Sequence, residues 1–141
     1  MIRLANKFDT EAIVQHLKEF AIESENPLTS NPILWSKTHT EAILARIFAG
    51  VGFVLIDEEK SGVLVAVKTE CFWLKGVWQL QEVMLHSRNK IVAARLIKEY
   101  IRIAKEMLDK KEISQAVLAS HLDCDYSKYG LNKFELHWEI K

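Results

Sequence analysis

The strongest constraint on this chain is a change of period at Gly50. Before it, apolar residues recur every three or four positions; after it, they alternate or run continuously in short segments. GFVLIDEE, SGVLVAVKTECFWL and VWQLQEVML read as three successive strands. DEEKSG supplies a hairpin turn between the first two and Lys75-Gly76 a tight turn before the third. Three strands joined this closely must pair antiparallel, so the sheet is the centre of the fold.

Helices flank that sheet. Residues 2–5 (IRLA) predict a short first strand. Asp9 is placed to cap a helix over 10–24 that buries Ile13, Leu17, Phe20 and Ala21, with Phe8 stapled to Ile13. ENPLTSNPI holds both prolines of the chain and reads as loop. Thr38-x-x-Glu41 reads as a capping box opening a second helix with Ile43, Leu44, Ile47 and Phe48, which Gly50 ends. Residues 89–111 predict one long amphipathic helix. Ala93, Leu96, Ile97, Tyr100, Ala104, Met107 and Leu108 form its stripe, and Lys98, Arg102, Lys105, Glu106 and Asp109 its wet side. A buried strand over 113–120 and an alternating one, FELHWEI, complete the order β-α-α-β-β-β-α-β-(α)-β. One α/β domain over 1–141 is expected, with a mixed, mostly antiparallel sheet.

Composition removes several functions. Lys+Arg and Asp+Glu are both 19, so the electrostatic excess of a nucleic-acid binder is missing. With 49% hydrophobic residues the chain is not disordered, and its longest apolar run, Ile47–Ile56, falls short of the about 20 residues of a membrane span. Two cysteines make no disulfide framework, and MIRLANKFD shows no basic-then-apolar leader, so a cytoplasmic protein is expected.

Two local sequences then narrow the reading. The strand-to-helix junction VMLHSRNKIVAARLI presents Arg88, Asn89, Lys90, Ile91, Val92 and Ala93, with Leu96 following. YSKYGLNKF presents Tyr126, Lys128, Gly130 and Leu131. The first resembles the Arg/Gln-x-x-Gly-x-Gly/Ala loop of the GNAT N-acetyltransferase superfamily, and the second its Tyr-x-Lys-x-Gly-Phe. The element order resembles that superfamily over nearly the whole chain, closest to its small, glycine-poor, bacteriophage-type members. Ile91 stands where the family places its first glycine and fits if its side chain turns into the core.

The resemblance implies acetyl-CoA as co-substrate, with the pyrophosphate at the start of the long helix, where free amides and a partial positive charge gather. Arg88, Asn89, Lys90, Ile91, Val92 and Ala93 would hold it, and Met84 and Leu85 would bond the pantetheine arm through their main chain. Acetyl transfer to an amine requires removing a proton from a group of pKa about 10.4 and returning one to a thiolate of about 8.5. Tyr126 stands at the family's acid position. Glu82, six residues before Arg88, is the candidate base. Strict alternation puts it on one face with Trp78, Leu80 and Met84, an apolar setting that raises a carboxyl pKa. His86 is a second candidate base, read as a loop residue.

The implied partner is a small-molecule or peptide amine, with a homodimer as one option and neither nucleic acid nor membrane. The acceptor site in such a fold is lined by the loop 27–37, flanked here by Glu23 and Glu25. His121, Asp123, Cys124 and Asp125 cluster in HLDCD, but without a zinc-ligand spacing, and no metal is expected. A different class of function also stays open: a GNAT-fold protein that has lost catalysis and serves as an interaction module.

Overall fold

In a computed structural model, residues 1–24, 35–119, 125–135 and 140 are described. The chain order is β1 (Ile2–Leu4), α1 (Thr10–Glu23), α2 (Lys37–Arg46), β2 (Gly52–Asp57), β3 (Gly62–Glu70), β4 (Trp78–Ser87), α3 (Lys90–Asp109) and β5 (Gln115–Val117). The strands make one sheet in the order β1-β2-β3-β4-β5, antiparallel except for the parallel β4–β5 pair. This is the mixed α/β architecture expected. The proposed last strand lies largely outside the described residues, as do His121, Asp123, Cys124 and Glu25.

Both faces of the sheet are covered. Ile13 and Val14 of α1 with Leu44 of α2 pack on Val54, Ile56, Val63, Val65 and Met84. Leu96, Tyr100 and Ala104 of α3 pack on Leu55, Leu64, Ala66 and Leu80 from the other side. Burial on both faces explains why VLI in β2 and VLVAV in β3 are continuous apolar runs rather than alternating ones. A wide helical turn, Ile47–Val51, joins α2 to β2, and Gly50 there adopts φ 123°, a conformation that L side chains rarely take.

Several local expectations are corrected. Asp9 makes no side-chain cap to α1. Its carboxylate instead takes both Arg3 guanidinium nitrogens, at 2.8 and 2.9 Å, and the Asn6 amide at 3.0 Å. A short 3-10 turn, Lys7–Asp9, precedes α1 and swings Phe8 outward, 80% exposed, so no staple to Ile13 forms. Ser36, not Thr38, caps α2, accepting the His39 amide at 3.2 Å. β3 stops at Glu70, leaving Phe72, Trp73 and Leu74 exposed in the following loop. Leu108, at the far end of the α3 stripe, is exposed as well.

The fork between β4 and β5, a candidate active site

β4 is not a regular strand. Val65 pairs with Met84, but Ala66 pairs with Glu82, so Val83 is an extra residue in β4: a β-bulge. The bulge moves side chains between faces. Leu80 belongs to the α3 core, and Glu82, opposite Ala66 of that core, faces the same way. Met84 belongs to the α1–α2 core. The expected face shared by Leu80, Glu82 and Met84 is therefore wrong, because an inserted residue inverts a period of two. Glu82 nevertheless reaches an apolar environment, on the α3 side.

Pairing of β4 with β5 covers only Gln79, Leu80 and Gln81 against Gln115, Ala116 and Val117. Beyond it β4 continues to Ser87 while β5 has ended. The two chains diverge at Glu82, and the β4 edge from Glu82 to Ser87 has no ladder partner among the described residues. Glu82 sits at this fork, 4% exposed, with its Oε2 accepting the Ala119 amide at 3.2 Å. Burial pushes its carboxyl up to about 7, against the smaller opposing effect of that amide. Tyr100 of α3 closes the floor by donating its hydroxyl to the Val117 carbonyl at 2.6 Å. Burial, then the neighbouring Glu82 charge, raises its phenol pKa.

The start of α3 is tightly organised. Asn89 caps it, its Oδ1 accepting the amides of Ile91 at 2.7 Å and Val92 at 3.4 Å. Ser87 Oγ holds the Asn89 main chain through its amide and carbonyl. Lys90 is exposed, Val92 is buried and Ala93 half-buried. Ile91 is 64% exposed and does not turn into the core, because the first helical turn directs it to solvent. Arg88 turns away from α3. Its Nε and Nη2 donate to Glu19 of α1 at 3.0 and 2.9 Å, and its Nη1 to the Lys60 carbonyl at 3.2 Å. Met84 is buried, Leu85 half-buried, and both pair with β3 on one side while their β5-side edge has no ladder partner among the described residues.

Tyr126 opens a 3-10 turn, Tyr126–Tyr129. Asp125 caps it through the Ser127 amide at 2.9 Å, and Gly130 closes it at φ 79°. Its ring lies 6.3 Å from that of Tyr129.

His86 is a correction of a different kind. It is a strand residue, 3% exposed, on the α1 side rather than in a solvated loop. Its Nδ1 lies 2.7 Å from Nδ1 of His16, whose Nε2 is 2.8 Å from the Lys60 carbonyl. Burial first, offset partly by that carbonyl, lowers the His16 pKa. His16, Glu19 and His86 present ligand-type atoms within 4.8 Å of one another. Sequence reasoning passed over His16 and Glu19. Their signal was available, since His16, Glu19 and Glu23 stand at i, i+3 and i+7 on one face of α1.

No family model matches the sequence, and no curated protein matches it. Solved structures do. A predicted acetyltransferase from Clostridium acetobutylicum with acetyl-CoA superimposes with a TM-score of 0.72 at 14% identity, over 100% of this chain and 95% of that one. An acetyltransferase of Trypanosoma brucei gives 0.67 at 14%, over 100% and 98%. An aminoglycoside acetyltransferase from an uncultured soil metagenomic sample, in complex with sisomicin, gives 0.67 at 14%, over 100% and 95%. With its forked, bulged mixed sheet between helical layers, the chain has the fold of the GNAT-type acetyltransferases.

Proposed function

We propose that this protein is an N-acetyltransferase that moves the acetyl group of acetyl-CoA directly to an amine. The carrying observation is Glu82, a buried carboxyl with a pKa raised to about 7, at the point where β4 and β5 part. A group poised there is protonated and deprotonated readily at neutral pH, which suits a general base. The free amine attacks the thioester carbonyl, Glu82 takes the proton released, the C–S bond breaks, and the thiolate takes a proton from Tyr126.

The co-substrate fits the same region. The β5-side edge of β4 after the bulge, without a ladder partner among the described residues, offers the main chain of Met84 and Leu85 to the pantetheine arm. The amides of Ile91 and Val92, now held by Asn89 Oδ1, are donors of the kind a pyrophosphate oxygen takes when Asn89 turns aside. Lys90 adds a cation and Ala93 a small side chain at the same turn. Arg88 acts from behind, holding the loop to Glu19. The acceptor is a small-molecule or peptide amine. Aminoglycosides head a test panel, because two of the enzymes with a similar fold are named for them.

Calorimetry with CoA and acetyl-CoA, followed by thiol release with a panel of amines, tests this reading. One-to-one binding and amine-dependent CoA release are expected. Absence of binding at millimolar acetyl-CoA would overturn it. That outcome favours the interaction module, the reading that the capped amides and exposed Ile91 also accommodate.

A further inference from the structure

We propose that His86, Glu19 and Glu23 form a binding site for a divalent first-row cation of the zinc type. It lies on the α1 side of the sheet and does not depend on acetyl transfer.

The Lys60 carbonyl can only accept, so His16 Nε2, 2.8 Å away, carries its proton. Neutral His16 then offers a lone pair at Nδ1, and His86 Nδ1, 2.7 Å from it, supplies the hydrogen. With its hydrogen on Nδ1, an uncharged His86 has its lone pair on the remaining nitrogen, Nε2. It is buried and has no hydrogen-bond partner among the described residues. It faces Glu23 Oε2 at 3.3 Å and Glu19 Oε2 at 3.7 Å.

A lone pair opposed to two carboxylates is an arrangement of acceptors with no donor between them. A proton on Nε2 would draw a carboxylate to about 2.7–2.9 Å, the length of a charge-assisted hydrogen bond. The observed separations are longer. They suit two ligands on one cation: bonds of about 2.0–2.2 Å at a tetrahedral angle set ligand atoms roughly 3.4 Å apart.

The surroundings match those of ligating groups. His86 is oriented through its other nitrogen by His16 and the Lys60 carbonyl, and Glu19 is held by two Arg88 nitrogens. Two carboxylates, Glu19 and Glu23, stand against one guanidinium, Arg88, so the carboxylates outnumber the fixed cation and favour a bound one. Glu23 is 68% exposed, so the cation has a way in and a solvent-facing fourth position.

The test uses the full chain, stripped of metal and titrated with Zn²⁺ by calorimetry and thermal denaturation. One-to-one binding is expected, with a Tm that climbs as free zinc rises. Glu23→Gln, at an exposed position that leaves folding intact, weakens binding tenfold or more, and His86→Gln abolishes it. In nitrogen-15 spectra of the unaltered protein, zinc shifts the His86 Nε2 resonance. No binding at millimolar zinc overturns the proposal. So does binding that survives Glu23→Gln undiminished, or an Nε2 that stays protonated in excess zinc.

Discussion

A carboxylate oxygen of Glu82 accepts the backbone N–H of Ala119 across 3.2 Å, tying β4 to the chain two residues beyond the end of β5. This bond holds the carboxyl at the fork instead of letting it swing to water. Glu82 is thus both a buried polar group on the α3 side and the candidate base.

In turnover, Glu82→Gln keeps the shape and removes the base. A fall in kcat of about 10²–10⁴-fold is expected, with the KM for acetyl-CoA little changed. In the parent protein kcat/KM is expected to rise with pH through about 7 and then level. A pH profile of the two proteins checks both statements; an unchanged profile in the variant removes Glu82 from the chemistry.

The same carboxyl makes stability depend on pH in the opposite sense to a paired acid. Its folded pKa is raised above the unfolded value, so the unfolded chain ionises first as pH rises. Stability contributed below about 4.5 is lost between there and about 7, amounting to about 3 kcal/mol. Glu82→Gln therefore gains stability over the parent at pH 8 and little at pH 4, measured by urea unfolding.

Tyr126→Phe removes the phenol proton proposed for the leaving thiolate. A fall in kcat of about 10²-fold is expected, read on protein shown to be folded at the assay temperature. Turnover that persists at the parent rate leaves the leaving thiolate to be protonated by another group.

Asp9 shows the usual carboxylate sign. Chiefly through its hydrogen bonds from the Arg3 guanidinium, its pKa is lowered to about 2. The stability it contributes is present above about 4 and lost as pH falls through about 2. Asp9→Asn is expected to cost about 2 kcal/mol at pH 7 and progressively less as pH falls through about 2, by chemical denaturation across pH.

Gly52 marks a close approach of chains. A Cβ built there meets the Ala66 carbonyl oxygen at 2.0 Å and Val67 Cα at 2.8 Å, both backbone atoms. Gly52→Ala is expected to cost about 3 kcal/mol or more and to loosen the β2–β3 pairing, seen as faster amide exchange in β3.

The amino-acid sequence by itself determined the layers. The period change at Gly50, the turns at DEEKSG and Lys75-Gly76, and the stripe from Leu96 to Ala104 are local patterns of hydrophobicity and turn chemistry, readable without neighbours. Asn89 as the start of the long helix was legible for the same reason. Tertiary structure decided what two distant segments settle jointly. The bulge at Val83 exists only in the pairing of β4 with β3, and it sends Glu82 to the α3 side and His86 to α1. Arg88 has a carboxylate partner because Glu19, 69 residues earlier, packs beside it. His16 and His86 are 70 residues apart in the chain, and only the packing of α1 on β4 turns two ordinary histidines into a buried pair. Periodicity fixes which face an element buries; the contacts across that face, and the protons they hold, are set where elements meet.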